Sequence, residues 1–158
     1  MALQVRRVEN PADFERFAEL LAVYEADLPS DLRHKKAPDH EALSASHSGR
    51  SAAFLALADG ETVGCVAVRE FDRETAVLKR LFVRPTHRGA GAARALVETA
   101  LAFLREQRFG RVVLDTEKRR LQRAYDLYRS FGFEECAPYA PVDYQCPTFM
   151  ELRLETRK

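Results

Sequence analysis

Apolar positions recur along this chain with two different periods, and the switches between them mark out strands and helices. Residues 3–8 predict a first strand. Asn10-Pro11 then sets a helix start, since proline is tolerated in the first turn. Phe14, Phe17, Leu20, Leu21 and Tyr24 follow at helical spacing, and Pro29 stops the run. Residues 30–50 are polar, with Asp31, His34, Lys35, Lys36, Asp39, His40 and His47, and read as a lid with a short helix near 38–46. Two apolar runs, 52–58 and 61–71, flank Asp59-Gly60, a pair suited to a tight hairpin turn. A third run, 75–83, completes a meander that Pro85 ends.

Beyond it, Leu96, Val97, Ala100, Phe103 and Leu104 mark one face of a helix, with Gly110 expected in its C-cap position. The short apolar run 111–115 is a strand, and strand, helix, strand form a crossover unit that predicts parallel pairing in this half of the sheet. A helix over about 119–131 carries Leu121, Ala124, Tyr125, Leu127, Tyr128 and Phe131 inward and stops at Gly132. Residues 133–137 and 148–154 close the chain as strands. Between them Pro138, Pro141 and Pro147 stiffen a loop holding Tyr139 and Tyr144, and such loops shape pockets. This order predicts one α/β (α+β) domain over 1–158: a mixed, mostly antiparallel twisted sheet of six to seven strands flanked by helices.

The segment Leu81-Phe-Val-Arg-Pro-Thr-His-Arg88-Gly89-Ala90-Gly91-Ala92-Ala93-Arg94 carries the clearest chemistry. Glycines at 89 and 91 let the backbone approach a bulky ligand, and the helix that follows begins with unpaired amides. Its dipole adds roughly half a positive charge at that end, and Arg88 adds another. A diphosphate suits this seat.

Composition narrows the partners. The 158 residues hold 25 Lys+Arg and 24 Asp+Glu, a net charge of +1, so no global field draws the chain to nucleic acid or to an anionic membrane. Cys65, Cys136 and Cys146 are odd in number and form no Cys-x-x-Cys, which reads as a reducing, cytoplasmic setting. No apolar run reaches the length of a membrane span and no leader is expected. His34, His40 and His47 match no zinc spacing, so no metal is expected. Lys118, Arg119, Arg120 and Arg123 are either a seat for an adenosine 3′-phosphate or a solvated helix face.

Arg88-Gly-Ala-Gly91-Ala-Ala93 resembles the Arg/Gln-x-x-Gly-x-Gly/Ala pyrophosphate motif of the GNAT superfamily of N-acetyltransferases, placed as there between a strand and a helix. Ala124-Tyr-Asp-Leu-Tyr128-Arg-Ser-Phe-Gly132-Phe133 is similar to that family's second signature, and the two cover residues 75–137. The resemblance implies the acyl-CoA N-acyltransferase fold with acetyl-CoA as co-substrate. It implies that backbone at Leu81, Phe82 and Val83 pairs with the pantetheine arm. Arg88, Gly89, Ala90, Gly91, Ala92 and Ala93 would hold the pyrophosphate, and Tyr128 would protonate the departing thiolate. The acceptor is a primary amine attacking directly, from a small molecule or amino acid, with a peptide or protein amine as the alternative. Many relatives dimerise.

A protonated alkylamine at pH 7 costs roughly 4–5 kcal/mol to deprotonate, yet Val77 stands where relatives often carry a glutamate base. Glu70, Asp72, Glu74 or water are the substitutes, and Asp115 is either a substrate contact or a loop anchor. A dinucleotide module is disfavoured by Arg94, where its fingerprint needs a small residue, and a P-loop by the missing Gly-Lys-Ser/Thr. The rival reading outside enzymes is an acyl-CoA sensor, argued from Val77.

Overall fold

The computed structural model describes residues 2–28, 50–142 and 147–154. The expected lid helix near 38–46, Lys35 and Lys36, the three lid histidines, Tyr144 and Cys146 lie outside them. The alternating runs pair into one seven-stranded sheet in the order β1-β2-β3-β4-β5-β7-β6. Strands β1 (Leu3–Arg7), β2 (Ala52–Ala58), β3 (Glu61–Glu70) and β4 (Thr75–Val83) form an antiparallel meander. Strand β5 (Arg111–Thr116) runs parallel to β4, while β7 (Thr148–Arg153) is antiparallel both to β5 and to the two-residue β6 (Glu134–Glu135). The crossover therefore makes one parallel pair rather than a parallel half. The reason is that β7 folds back from β6 and inserts between it and β5.

Helix α1 (Pro11–Asp27) starts as the sequence dictates, with the Asp13 amide donating to Asn10 Oδ1 at 2.9 Å. It closes before Pro29, where the Leu28 amide donates back to Tyr24 and Glu25. Helices α2 (Ala92–Glu106) and α3 (Gln122–Ser130) both lie on the opposite face of the sheet. Alternation along the strands feeds these two layers. Val66, Val68, Ala76, Leu78, Val112 and Leu114 meet Leu96, Val97, Leu104 and Tyr128 on one side. Leu55, Cys65, Ala67 and Phe82 meet Phe17, Leu20 and Leu21 on the other. Each buried valine, leucine or phenylalanine among them contributes about 1.5–3 kcal/mol by leaving water.

Three local expectations change. Helix α2 ends four residues before Gly110: Arg108 takes the left-handed conformation (φ 64°), and the Gly110 amide donates to Glu74 to start β5. Helix α3 starts at Gln122 instead of about 119, because the buried Glu117 carboxylate accepts from the Arg119 and Arg120 amides and holds a preceding turn. Tyr125 packs partly against the core as expected, but its hydroxyl faces out. It is half-buried, and its hydroxyl donates to Glu135 at 2.8 Å on the surface.

Gly64 is where β3, β4 and α2 press closest. A Cβ there would sit 2.8 Å from the Phe82 carbonyl oxygen and 3.2 Å from Leu96 Cδ1 and Val83 Cγ2. Backbone cannot swing aside as a side chain can, so Gly64→Ala is expected to cost about 1–3 kcal/mol, read as a lowered denaturant midpoint at unchanged slope.

Candidate active site

Strands β4 and β5 pair only at Thr75↔Arg111, Ala76↔Val112 and Val77↔Val113. Both continue, to Val83 and Thr116. Past Val77 and Val113 they part, leaving a gap in the middle of the sheet whose facing edges carry unpaired backbone groups.

The β3 side of β4 explains which groups face that gap. Cys65 opposes Phe82 and Ala67 opposes Lys79, so Val66 stands against two residues, Arg80 and Leu81. This is a β-bulge, and Arg80 sits in it at φ 58° with its carbonyl receiving the Cys65 thiol at 3.4 Å. After the bulge, the Arg84 amide donates to Val63 and the Phe82 carbonyl oxygen lies against Gly64. Alternation then turns the backbone of Leu81 and Val83 to the open edge. Phe82 differs from the expectation for it: its backbone is directed to β3, and its ring packs under α1, 5.6 Å from Tyr24.

At the end of β4 a turn of 3-10 helix, Pro85–His87, leads to Gly89 and Gly91 at φ 87° and 88°. That left-handed backbone costs a glycine nothing. Gly89, Ala90 and Gly91 are exposed, and the first helical bond of α2 runs from Ala95 to Gly91. Among the described residues no backbone hydrogen bond engages the amides of Gly89, Ala90, Gly91, Ala92, Ala93 or Arg94. Six consecutive donors are unclaimed at the positive end of a 15-residue helix.

Arg88 is less available than its position in the motif implies. Its Nε donates to the Val83 carbonyl at 3.2 Å, and it pairs with Asp27 Oδ2 at the end of α1 at 2.8 Å. Exposed pairs of this kind are worth about 0.2–1 kcal/mol. Asp27→Asn, which releases the guanidinium, is expected to tighten CoA binding about two- to fivefold by calorimetry.

Tyr128 of α3 sits in the core cluster that holds Leu96 and Val97 of α2. Its ring is buried, 5.8 Å from Phe133. Burial, then Tyr24 and Asp115, push its phenol well above the ordinary value, so it keeps its proton at neutral pH. Its hydroxyl has no hydrogen bond among the described residues.

Asp115, two residues past the last β4–β5 pair, accepts from the Tyr139 hydroxyl at 2.8 Å and so fastens the proline loop beside the gap. Tyr139 packs edge-on against Phe149 and Phe71. Neither Tyr24 nor Tyr139 stands out in the sequence as a site residue; proline spacing around Tyr139 is the one local hint. The acids considered as substitutes for a base lie beyond the closed end of the parted strands. Glu70 pairs with Arg50 at 2.6 Å, Asp72 accepts from the Glu74 and Thr75 amides, and Glu74 closes over Gly110. Val77 is buried. In the basic cluster, Lys118 pairs with Glu135 and Arg120 with Glu117.

A mixed sheet with one parallel pair that parts mid-sheet, and a run of unclaimed amides beyond the end of β4, define the class of fold that known proteins share with this chain. The acetyltransferase (GNAT) family profile matches residues 17–133. An uncharacterized N-acetyltransferase of Schizosaccharomyces pombe is 30% identical over 99% of this chain and 96% of its own length. N-acetyltransferase 8B of Rattus norvegicus is 38% identical over 60% of this chain, which spans only 45% of the rat protein. Among solved structures, a GNAT-family acetyltransferase of Staphylococcus aureus superposes with a TM-score of 0.81 at 20% identity, covering 98% of this chain and all of that one. The yncA protein of Salmonella typhimurium, solved with its cofactor acetyl-CoA, gives 0.78 at 20% identity over 99% and 96%. This chain belongs to the acetyltransferase (GNAT) family and is an acyltransferase. Acetyl-CoA as its co-substrate is supported by the same likeness.

Proposed function

We propose that this protein acetylates a primary amine of a small molecule or amino acid, with acetyl-CoA as donor. The observation that carries the reading is the parting of β4 from β5 after Val77 and Val113, with unclaimed amides beyond the end of β4. Tyr128, buried within electrostatic reach of Asp115 on β5, is the phenol we assign to that gap. The residues fit the donor. Gly89, Ala90, Gly91, Ala92 and Ala93 supply N–H groups to a diphosphate, with Arg88 at the rim. Leu81 and Val83 offer their backbone to the amide-bearing arm. Acetyl-CoA supplies an activated acyl carbon and a thiolate leaving group.

Tyr128, protonated and unpartnered, donates toward the sulfur as charge develops there, and a general acid of this type is worth about 10²–10⁴ in rate. With Val77 apolar and Glu70, Asp72 and Glu74 engaged elsewhere, the amine's proton passes to solvent instead of to a carboxylate on β4. The test is thiol release from acetyl-CoA across a panel of primary amines. Amine-dependent release is expected. Tight acetyl-CoA binding without it would make the protein a sensor.

A further inference from the structure

Among the described residues, three basic side chains on the α1 face of β3 and β4 lack partners. Arg69 opposes Val77 and Lys79 opposes Ala67, which places both on the face where Cys65, Ala67 and Phe82 pack beneath α1. Strict alternation would send Arg80 to the other face. The bulge prevents this: Leu81 packs with the α2 core, Phe82 returns to the face of Lys79, and Arg80 comes within electrostatic reach of Tyr24, Glu25 and Cys65. Two consecutive cations thus project to one side, beside a third.

Among the described residues, the side chains of Arg69, Lys79 and Arg80 make no hydrogen bond and no ion pair, although Lys79 and Arg80 are half-buried. The acids bearing on them are Glu25, toward Arg80, and Asp115, toward Lys79, and Asp115 already holds the Tyr139 hydroxyl. Burial, then Arg80 and Arg69 alongside, bring the Lys79 ammonium down to about 8. Like charges gathered in reduced dielectric repel, and apolar residues would fill the same space without that cost. Among the described residues, no carboxylate pairs with the cluster.

Its place says which anion. Lys79 and Asp115 each lie two residues past the last β4–β5 pair, on opposite sides of the gap. The phosphate seat belongs to the start of α2, which packs on the other face. A molecule whose nitrogen enters the gap from the α1 side lays its remaining groups against the three cations. We propose that Arg69, Lys79 and Arg80 form a subsite for a carboxylate carried by the acceptor, so that the substrate is an amino acid or a similar amino-carboxylate. The assignment rests on the acyl-transfer reading above and names its acceptor class. Guanidinium groups suit it because their planar fork matches a carboxylate.

The test uses matched amines with and without the carboxylate: phenylalanine against phenethylamine, lysine against cadaverine, and methionine against 3-(methylthio)propylamine. Thiol release is followed for the native chain, Lys79→Met and Arg69→Gln; Arg69 is exposed, so its variant leaves folding intact. The acid of at least one pair is expected to be favoured tenfold or more in kcat/KM, mainly through KM. Each variant should cut that ratio at least fivefold with the KM for acetyl-CoA unchanged. Equal use of both members, or a ratio the variants leave intact, would overturn the subsite. So would variants that weaken acetyl-CoA instead, which would give the cluster to the donor's phosphates. If no amine supports release, calorimetry with N-acetylphenylalanine against N-acetylphenethylamine separates the two ideas. Acid-selective binding lost in the variants keeps the subsite and removes acyl transfer, whereas equal or absent binding removes the subsite.

Discussion

Gly91→Glu is expected to weaken acetyl-CoA binding at least about 100-fold while the protein still folds. Gly91 is exposed, and a Cβ built on it meets nothing within 4 Å, so the new side chain projects into solvent without a clash. Two penalties then act on the donor. The carboxylate stands beside the amides of Ala92 and Ala93, and two like charges 4 Å apart near a protein surface repel by about 4 kcal/mol. At 1.4 kcal/mol per decade that exceeds the loss predicted. The second penalty is strain, since Gly91 holds φ 88° and a side chain there costs about 1–2 kcal/mol. Gly91→Ala carries the strain alone and should lose less than tenfold. Calorimetry on both variants separates the terms; an unchanged affinity in Gly91→Glu would remove the diphosphate from this turn.

Tyr128→Phe is expected to lower kcat about 100-fold or more, with the acetyl-CoA dissociation constant moving less than about threefold. The ring stays in the core against Phe133, and the lost hydroxyl leaves no donor or acceptor orphaned among the described residues. Stability should therefore shift by less than about 1 kcal/mol. A normal kcat would make Tyr128 a packing residue. Tyr24 bears on the same hydroxyl electrostatically, so Tyr24→Phe is the control for general loss of polarity.

Much of the fold was legible because its signals are local. Asn10-Pro11 and Asp59-Gly60 act within one turn, and their helix start and hairpin form where the sequence puts them. Periodicity likewise placed Leu96 and Val97 in the core. Gly110 misled, because its role is set by Glu74 in the link just before β4, which no local pattern encodes. The same holds for Tyr125, whose partner Glu135 arrives only when β6 forms beside α3.

The sequence by itself determined the order of elements, the paired glycines with their run of amides, and the presence of Tyr128 on an amphipathic helix, since these depend on neighbours a few positions away. Tertiary structure decided what those parts do together. Register between strands ends the β4–β5 ladder at Val77 and Val113, turns Phe82 to β3 and brings Arg80 beside Lys79. Chain packing joins Arg88 to Asp27, 61 positions away, and Tyr139 to Asp115. Register and packing are settled by which cores are buried across the whole sheet, and a pattern read along one strand does not contain them.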